Sequence, residues 1–397
     1  MKRKNIVIIL CLVSLILCSC SYNVEEICRE EGKRTDYRVS MISDMGDITD
    51  QGFNQSTYQA CKAFCDDNNI MFTYKMPSGD NTASRVIAVE SAIDEGYNVI
   101  VMPGFSFSAT LIEVAEKYPD IKFIVLDVSD GDLLSAGVPR KGEAYDYNPS
   151  NWNVMDYYHY ENVYDALFKE EISGYLAGYT AVMLGYNDLG FLGGMAVPGV
   201  LRFGYGYVQG INEAAKEKGI TVNMKYAYAN TFTGDAEISA AMETWYANGT
   251  EVVFSCGGGI FVSVSEAASK HGGKVIGVDT DQKNLIDGMY GEGITITSAL
   301  KGLYPATYDA LDDIINNGKW DDYRGKILSL GLISGTDPDA NYLSLPINST
   351  MWNDDFTEQD YRELVNNIYL RNIVISDDIS HEPVTSNVNV EWLGSIK

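Results

Sequence analysis

Short apolar runs alternate with amphipathic stretches from Tyr37 onward, and this alternation constrains the fold more than any other feature of the chain. Strands are expected at 37–42, 71–75, 99–102, 123–127, 189–192, 222–226, 252–255 and 275–278. Helical periodicity fills the intervals at 56–68, 82–95, 110–117, 168–184, 205–218, 236–248 and 262–271. Brief apolar runs separated by helix-length segments predict parallel, doubly wound sheets. Two such series in one chain of 397 residues, 46% of them hydrophobic, predict two α/β lobes with a core each.

The link between the series falls near "YHYENVYDALFKEE", residues 158–171. Before it, residues 131–160 are rich in Tyr, Asn, Asp and Pro and are expected to form an inserted surface loop. The tail, 337–397, alternates less clearly and is expected to pack across both lobes. The expected division is 37–160 plus 281–325 for the first lobe and 161–280 plus 326–397 for the second.

The formal net charge of −26 argues against nucleic acid as a partner, because polyanion binding needs a Lys/Arg-rich face. It leaves room for a small neutral ligand. At the N-terminus, Met1-Lys2-Arg3-Lys4 precedes the apolar run "NIVIILCLVSLIL". The run has signal-peptide length and is too short for an ordinary spanning helix. It ends in "LCSC", which resembles a bacterial lipoprotein cleavage signal. That resemblance implies a signal peptide over 1–19, acylation of the Cys20 thiol and a charged tether over 20–36. An uncleaved anchor or a plain secretory signal is the alternative; the polar segment directly after Cys20 favours the lipoprotein. Cys61 and Cys65 share a helical face and are expected to be buried small hydrophobes. With His159, His271 and His381 isolated, a metal site lacks ligands, and no cofactor is expected.

In open α/β sheets ligands bind beyond the carboxyl ends of the strands, and the distinctive residues cluster there. The first strand leads into "SDMGDITDQGFNQ", with Asp44, Gly46, Asp50, Phe53 and Asn54. Later ends carry Pro103-Gly104-Phe105, Asp127, Arg202 and Phe203, Cys256-Gly257-Gly258-Gly259, and Asp279 to Gln282. Carboxylates, amides, rings and close-approach glycines suit a flat ring bearing hydroxyl groups. Stacking would contribute roughly 1–3 kcal/mol per contact. Each piece has another reading. Asp44, Asp47 and Asp50 could form a calcium loop, although their spacing is not that of an EF-hand. Asp50 could cap the following helix. "GYGYVQG", 204–210, is one residue too long for a dinucleotide fingerprint and sits inside a helical stretch. No nucleophile elbow or zinc-protease motif is present, so no enzyme is expected; a carboxylate-dependent hydrolase stays open as an alternative.

Five strings, "DMGDITDQGFNQSTYQA", "ENVYDALFKEEISGYLAGYTAVML", "LGFLGGMAVPGVLRFGYGYVQGI", "VIGVDTDQ" and "ITSALKGLYPATYDAL", together resemble the basic membrane lipoprotein family. These are purine-nucleoside-receptor-type substrate-binding lipoproteins of ABC transporters. The resemblance covers roughly residues 37–335. It implies a type I (class B) periplasmic-binding-protein fold, with two Rossmann-like lobes of parallel sheet joined by a three-crossover hinge. It implies a nucleoside ligand and an ABC permease as partner; the membrane anchor expected at Cys20 is independent of these strings and fits them, and a monomer is expected. By matched positions, Asp44 and Asn54 would face the ligand, and Phe53 would stack on the base with Phe203 as its partner. Asp127 would read the base edge, Asp279 and Lys301 would hold the ribose, and Gly258 would approach through its backbone. Gly52 departs from the serine usual before the Phe-Asn pair, which bears on ligand identity. A same-fold receptor for a sugar or signal molecule is the alternative.

Overall fold

The computed structural model describes residues 34–397 apart from Met45 and Tyr160. The expected signal peptide, Cys20 and all but the end of the tether lie outside the described residues. In chain order the strands are β1 (Arg34–Ile42), β2 (Ile70–Lys75), β3 (Val99–Pro103), β4 (Lys122–Leu126), β5 (Val163–Phe168), β6 (Asp188–Gly193), β7 (Val222–Tyr228), β8 (Val252–Cys256), β9 (Lys274–Asp279), β10 (Thr295–Lys301), β11 (Lys326–Leu330), β12 (Leu343–Ser344) and β13 (Val388–Ser395).

They form two sheets. The first has the order β11-β5-β4-β3-β1-β2 and the second β12-β10-β9-β8-β6-β7-β13. Every pairing is parallel except β10 with β12. The central strands β3 and β8 are buried along their whole length. Helices cover both faces of such a sheet, so these strands read as continuous apolar runs without alternation.

Strand membership corrects the expected lobe boundaries. β5 pairs with β4 and β11 in the first sheet, although the expected division places 161–280 in the second lobe. β10 belongs to the second sheet, although that division places 281–325 in the first, and β11 returns to the first sheet. The chain therefore crosses between sheets after Phe168, after Lys301 and along 331–342. The crossovers are tied to one another: the Lys169 amide donates to the Leu330 carbonyl (2.9 Å) and the Gly302 amide to the Tyr342 carbonyl (2.7 Å).

After the first crossover, helix Glu170–Met183 packs against helix Pro198–Lys218 with their backbones nearly touching. A Cβ at Gly174 would stand 2.1 Å from the Phe203 carbonyl oxygen, and one at Gly178 2.3 Å from that of Tyr207. Reciprocally, a Cβ at Gly206 or Gly210 would stand 2.1 Å from the carbonyl oxygen of Glu171 or Tyr175. Gly206 and Gly210 of "GYGYVQG" thus serve helix packing, while Gly204 leaves room for Tyr226 and Phe191 of the second sheet.

The segment 131–160 is only partly the surface loop expected. Its start belongs to helix Asp130–Arg140, capped by a reciprocal Ser129–Asp132 box, with Leu133, Leu134 and Val138 in the first lobe's core. The two glycines and Pro139 in that helix conceal its periodicity. Gly137 is required because a Cβ there would meet the Tyr157 carbonyl oxygen at 2.9 Å. The tail pairs with the second sheet alone, through β12 and β13.

Candidate functional site

The loops beyond the carboxyl ends of both sheets enclose one cavity of about 710 Å³. Asp44, Phe53, Asn54, Asp127, Phe203, Gly258, Asp279 and Lys301 all line it.

The loop after β1 is organised by its own carboxylates. Asp44 Oδ1 accepts from the Gly46 amide (2.9 Å) and from Asn54 Nδ2 (3.2 Å). Asp50 accepts from the amides of Gly52 (3.0 Å), Asn54 (2.8 Å) and Gln55 (3.0 Å), so it caps helix Phe53–Asp67 while facing the cavity. Asp47 is taken up by Thr49. Among the described residues no group of three candidate ligands could hold a metal ion. Gly46 is needed for this arrangement, because a Cβ would lie 2.2 Å from Asn54 Nδ2.

The floor is an ionic chain that reaches the hinge. Lys301 Nζ bonds Asp127 Oδ2 and, at 2.8 Å, Glu170 Oε1. Glu170 Oε2 accepts from Arg202 Nε at 2.5 Å. Lys301 closes β10 and Glu170 opens the helix after β5, so the pair joins two crossovers. The ammonium also sits over the rings of Phe53 (5.2 Å to the centroid) and Phe168 (4.9 Å). Burial alone would raise the Glu170 carboxyl, but Arg202 and Lys301 outweigh it and bring it down to about 2. Asp127 is raised to about 6, chiefly by burial, with Lys301 opposing and Glu170 reinforcing. Asp279 is raised to about 7, again chiefly by burial, with Lys301 opposing and Asp127 reinforcing.

Two buried acceptors in the wall, Asn54 Oδ1 and Asp127 Oδ1, have no hydrogen-bond partner within the protein. The lobes touch directly at one side of the cleft. Gln51, with a φ of 58°, offers its carbonyl oxygen to Thr280 Oγ1 (3.0 Å) and Gln282 Nε2 (3.3 Å). Gly52 faces Asp279: a Cβ there would stand 3.5 Å from Asp279 Oδ2, an ordinary contact distance.

The rings are arranged differently from the expectation. Phe203 lines the cavity but is only 3% exposed and sits edge-on to Phe254 at 6.0 Å. Phe232 is half-buried, lies in the cavity wall and rests on Gly194, where a Cβ would stand 2.5 Å from the ring. Sequence reasoning missed Phe232 and Glu170. "NTFTGD" has no spacing signal, and a glutamate opening a helix reads as ordinary first-turn acidity.

Comparison with known proteins supplies the family and the fold. The profile of the family described as "ABC transporter substrate-binding protein PnrA-like" matches residues 37–377. An ABC transporter nucleoside-binding protein, BmpA, of Lactococcus lactis subsp. cremoris (strain MG1363) is 28% identical over 64% of this chain and 66% of its own length. An uncharacterized lipoprotein of Pyrococcus abyssi (strain GE5 / Orsay) is 26% identical over 74% of this chain and 67% of its own. The chain thus spans about two thirds of the length of these relatives. The crystal structure of an ABC transporter solute-binding protein from Aeropyrum pernix K1 superposes with a TM-score of 0.61 at 22% identity, covering 86% of this chain and 88% of that one. The shared architecture is the type I periplasmic-binding fold.

Proposed function

Because the chain belongs to the family of PnrA-like ABC transporter substrate-binding proteins, a family of binding proteins and not of enzymes, we propose that it captures a purine nucleoside between its lobes and delivers it to an ABC permease. The observation that carries this reading is the pair of unpartnered buried acceptors, Asn54 Oδ1 and Asp127 Oδ1, in a cavity that also presents the rings of Phe53 and Phe232. Buried acceptors without partners are costly, by about 1–3 kcal/mol each, and a ligand rich in donors relieves that cost. A nucleoside supplies such donors on its base edge and its ribose, and a flat face for the rings.

The electrostatics favour a neutral ligand over a phosphorylated one. The cations in the cavity's described wall, Lys301 and Arg202, are both held by Glu170. Asp44, Asp47, Asp50, Asp80, Asp127 and Asp279 line the same space, and they would repel a phosphate. In this reading Asp279 accepts from the ribose hydroxyls and Lys301 contributes its remaining N–H. Asp127 reads the base edge, and Asp44 and Asn54 face the ligand from the first lobe. Gly258 approaches through its backbone, and its φ of 50° suits glycine. Phe53 covers one side of the base; on the other, Phe232 is more accessible than Phe203, which is 3% exposed.

Closure over the ligand would be read by the permease, since only one of two lobe arrangements buries the nucleoside. The lipoprotein relative supports extracytoplasmic anchoring through Cys20, where two or more acyl chains hold a protein durably at a membrane. Among the described residues no helix is long and apolar enough to cross a membrane. The deciding experiment is isothermal titration of the chain from residue 21, refolded free of carried-over ligand, with adenosine, guanosine, inosine, uridine and cytidine. Saturable binding of the purine nucleosides, with no base or sugar released, supports the reading. A folded sample that binds none of them overturns it.

A further inference from the structure

The family match ends at residue 377, but the chain goes on to add an edge strand to the second sheet. β13 runs parallel to β7 from Val388 opposite Val222 to Ser395 opposite Tyr228. A parallel strand delivers its carboxyl end to the same sheet edge as its neighbour, and in this fold that edge is the rim of the cleft. There the Ile396 amide donates to the Tyr228 carbonyl (2.8 Å), and Asn230 Nδ2 donates to the Lys397 carbonyl (2.9 Å). The Lys397 ammonium pairs with Asp235, whose other carboxylate oxygen caps helix Ala236–Ala247.

The loop held between these bonds, residues 230–233, is part of the cavity wall. It starts at Asn230 in the left-handed region (φ 54°) and carries Phe232. The Phe232 carbonyl accepts from the Gly259 amide (2.7 Å), so the loop also fixes the glycine turn beside Gly258. At its other end β13 is anchored independently, where Asn212 Oδ1 accepts from the amides of Ser386 (2.8 Å) and Asn387 (3.0 Å); within the strand the Trp392 ring lies 4.5 Å, centroid to centroid, from that of Tyr226.

We infer that β13 is a positioning element for the binding site, and that Ile396 and Lys397 hold the loop Asn230–Thr233, with Phe232, in its ligand-competent place. These residues act through the loop, without touching the ligand. The affinity consequence rests on the binding reading above; the ordering of the loop does not.

The test uses the full chain with Ile396→Pro, which removes the amide donor to Tyr228, and Ile396→Ala, which keeps it. Amide exchange of a peptide spanning 229–234 is followed without ligand, beside titration of the nucleoside that the wild type binds. Ile396→Pro is expected to speed exchange in that peptide by about tenfold and to weaken binding by a similar factor, the effect of losing one hydrogen bond. Ile396→Ala keeps the donor and trims only the side chain packed on the second lobe's core, so it is expected to change both by a smaller factor than Ile396→Pro. Should Ile396→Pro melt early, Lys397→Ala against Lys397→Arg decides: loss by the first and rescue by the second upholds the proposal. Unchanged exchange in Ile396→Pro and in Lys397→Ala overturns it. If the wild type binds no nucleoside, the binding reading falls and the exchange measurement alone judges the strand.

Discussion

Asp127 and Asp279 are counterparts in the two lobes. Asp127 directly follows and Asp279 ends a strand begun by lysine, "KFIVLD" and "KVIGVD", and each adopts a φ of 64°. β4 lies between β3 and β5 as β9 lies between β8 and β10, so the residues occupy equivalent positions in two similarly wound sheets. A left-handed backbone is uncommon outside glycine, and the short polar side chain of aspartate tolerates it. Two such residues facing one cavity point to a functional demand on their carboxylates.

The affinity for a nucleoside should therefore depend on pH. Asp279 is pushed up to about 7, chiefly by burial. Ribose hydroxyls donate to the ionised form, so binding weakens as pH falls below about 7, approaching about tenfold per pH unit. Asp279→Asn should flatten that slope. Without ligand the sign reverses. The folded carboxyl is raised above its unfolded value, so its contribution to stability is full below about pH 4 and lost as pH rises through about 7. Titration calorimetry and thermal melts across this range check both; a flat wild-type affinity profile would exclude the role given to Asp279.

Thr280→Val should weaken ligand binding while leaving the ligand-free melting temperature in place. The Thr280 hydroxyl donates to the Gln51 carbonyl across the lobes, at 3.0 Å, and opening of the cleft would break this hydrogen bond. One net hydrogen bond specific to the closed form corresponds to about a two- to tenfold rise in Kd. An unchanged Kd would mean that the bond does not favour closure.

Glu170→Gln should destabilise the fold by about 3–5 kcal/mol, because it leaves the buried Lys301 and the half-buried Arg202 without their shared counter-charge. Denaturant unfolding measures this. A variant as stable as the wild type would show that Asp127 alone satisfies the hinge lysine.

Gly206→Ala should cost about 3 kcal/mol, the upper end of the usual overpacking range. The added methyl would stand 2.1 Å from the Glu171 carbonyl oxygen on the facing helix, where backbone has no rotamer to yield. Gly219→Ala in the same thermal melts separates clash from conformation, since a Cβ there meets nothing within 4 Å and only its φ of 67° opposes it. Equal losses in the two variants would argue against the packing explanation.

The two wound series, and the strand ends where the candidate site lies, were legible in the residues alone. Apolar runs such as "VIVMP" and "KFIVLD" mark buried parallel strands locally, and aspartate, glycine and phenylalanine stand out where those runs stop. Asp127 and Asp279 could be singled out for that reason. The remainder depends on partners far apart in the chain. β5 joins the first sheet through its ladders with β4 and β11, and periodicity says nothing of which sheet a strand enters. Glu170 acquires its role from Lys301, 131 residues away. Phe232 faces the cavity because Gly194 leaves room beneath its ring, and Gly206 and Gly210 serve a helix crossing that sequence spacing does not encode. Local pattern fixes what an element is; long-range packing and burial fix what it touches, and the site is assembled from those distant partners.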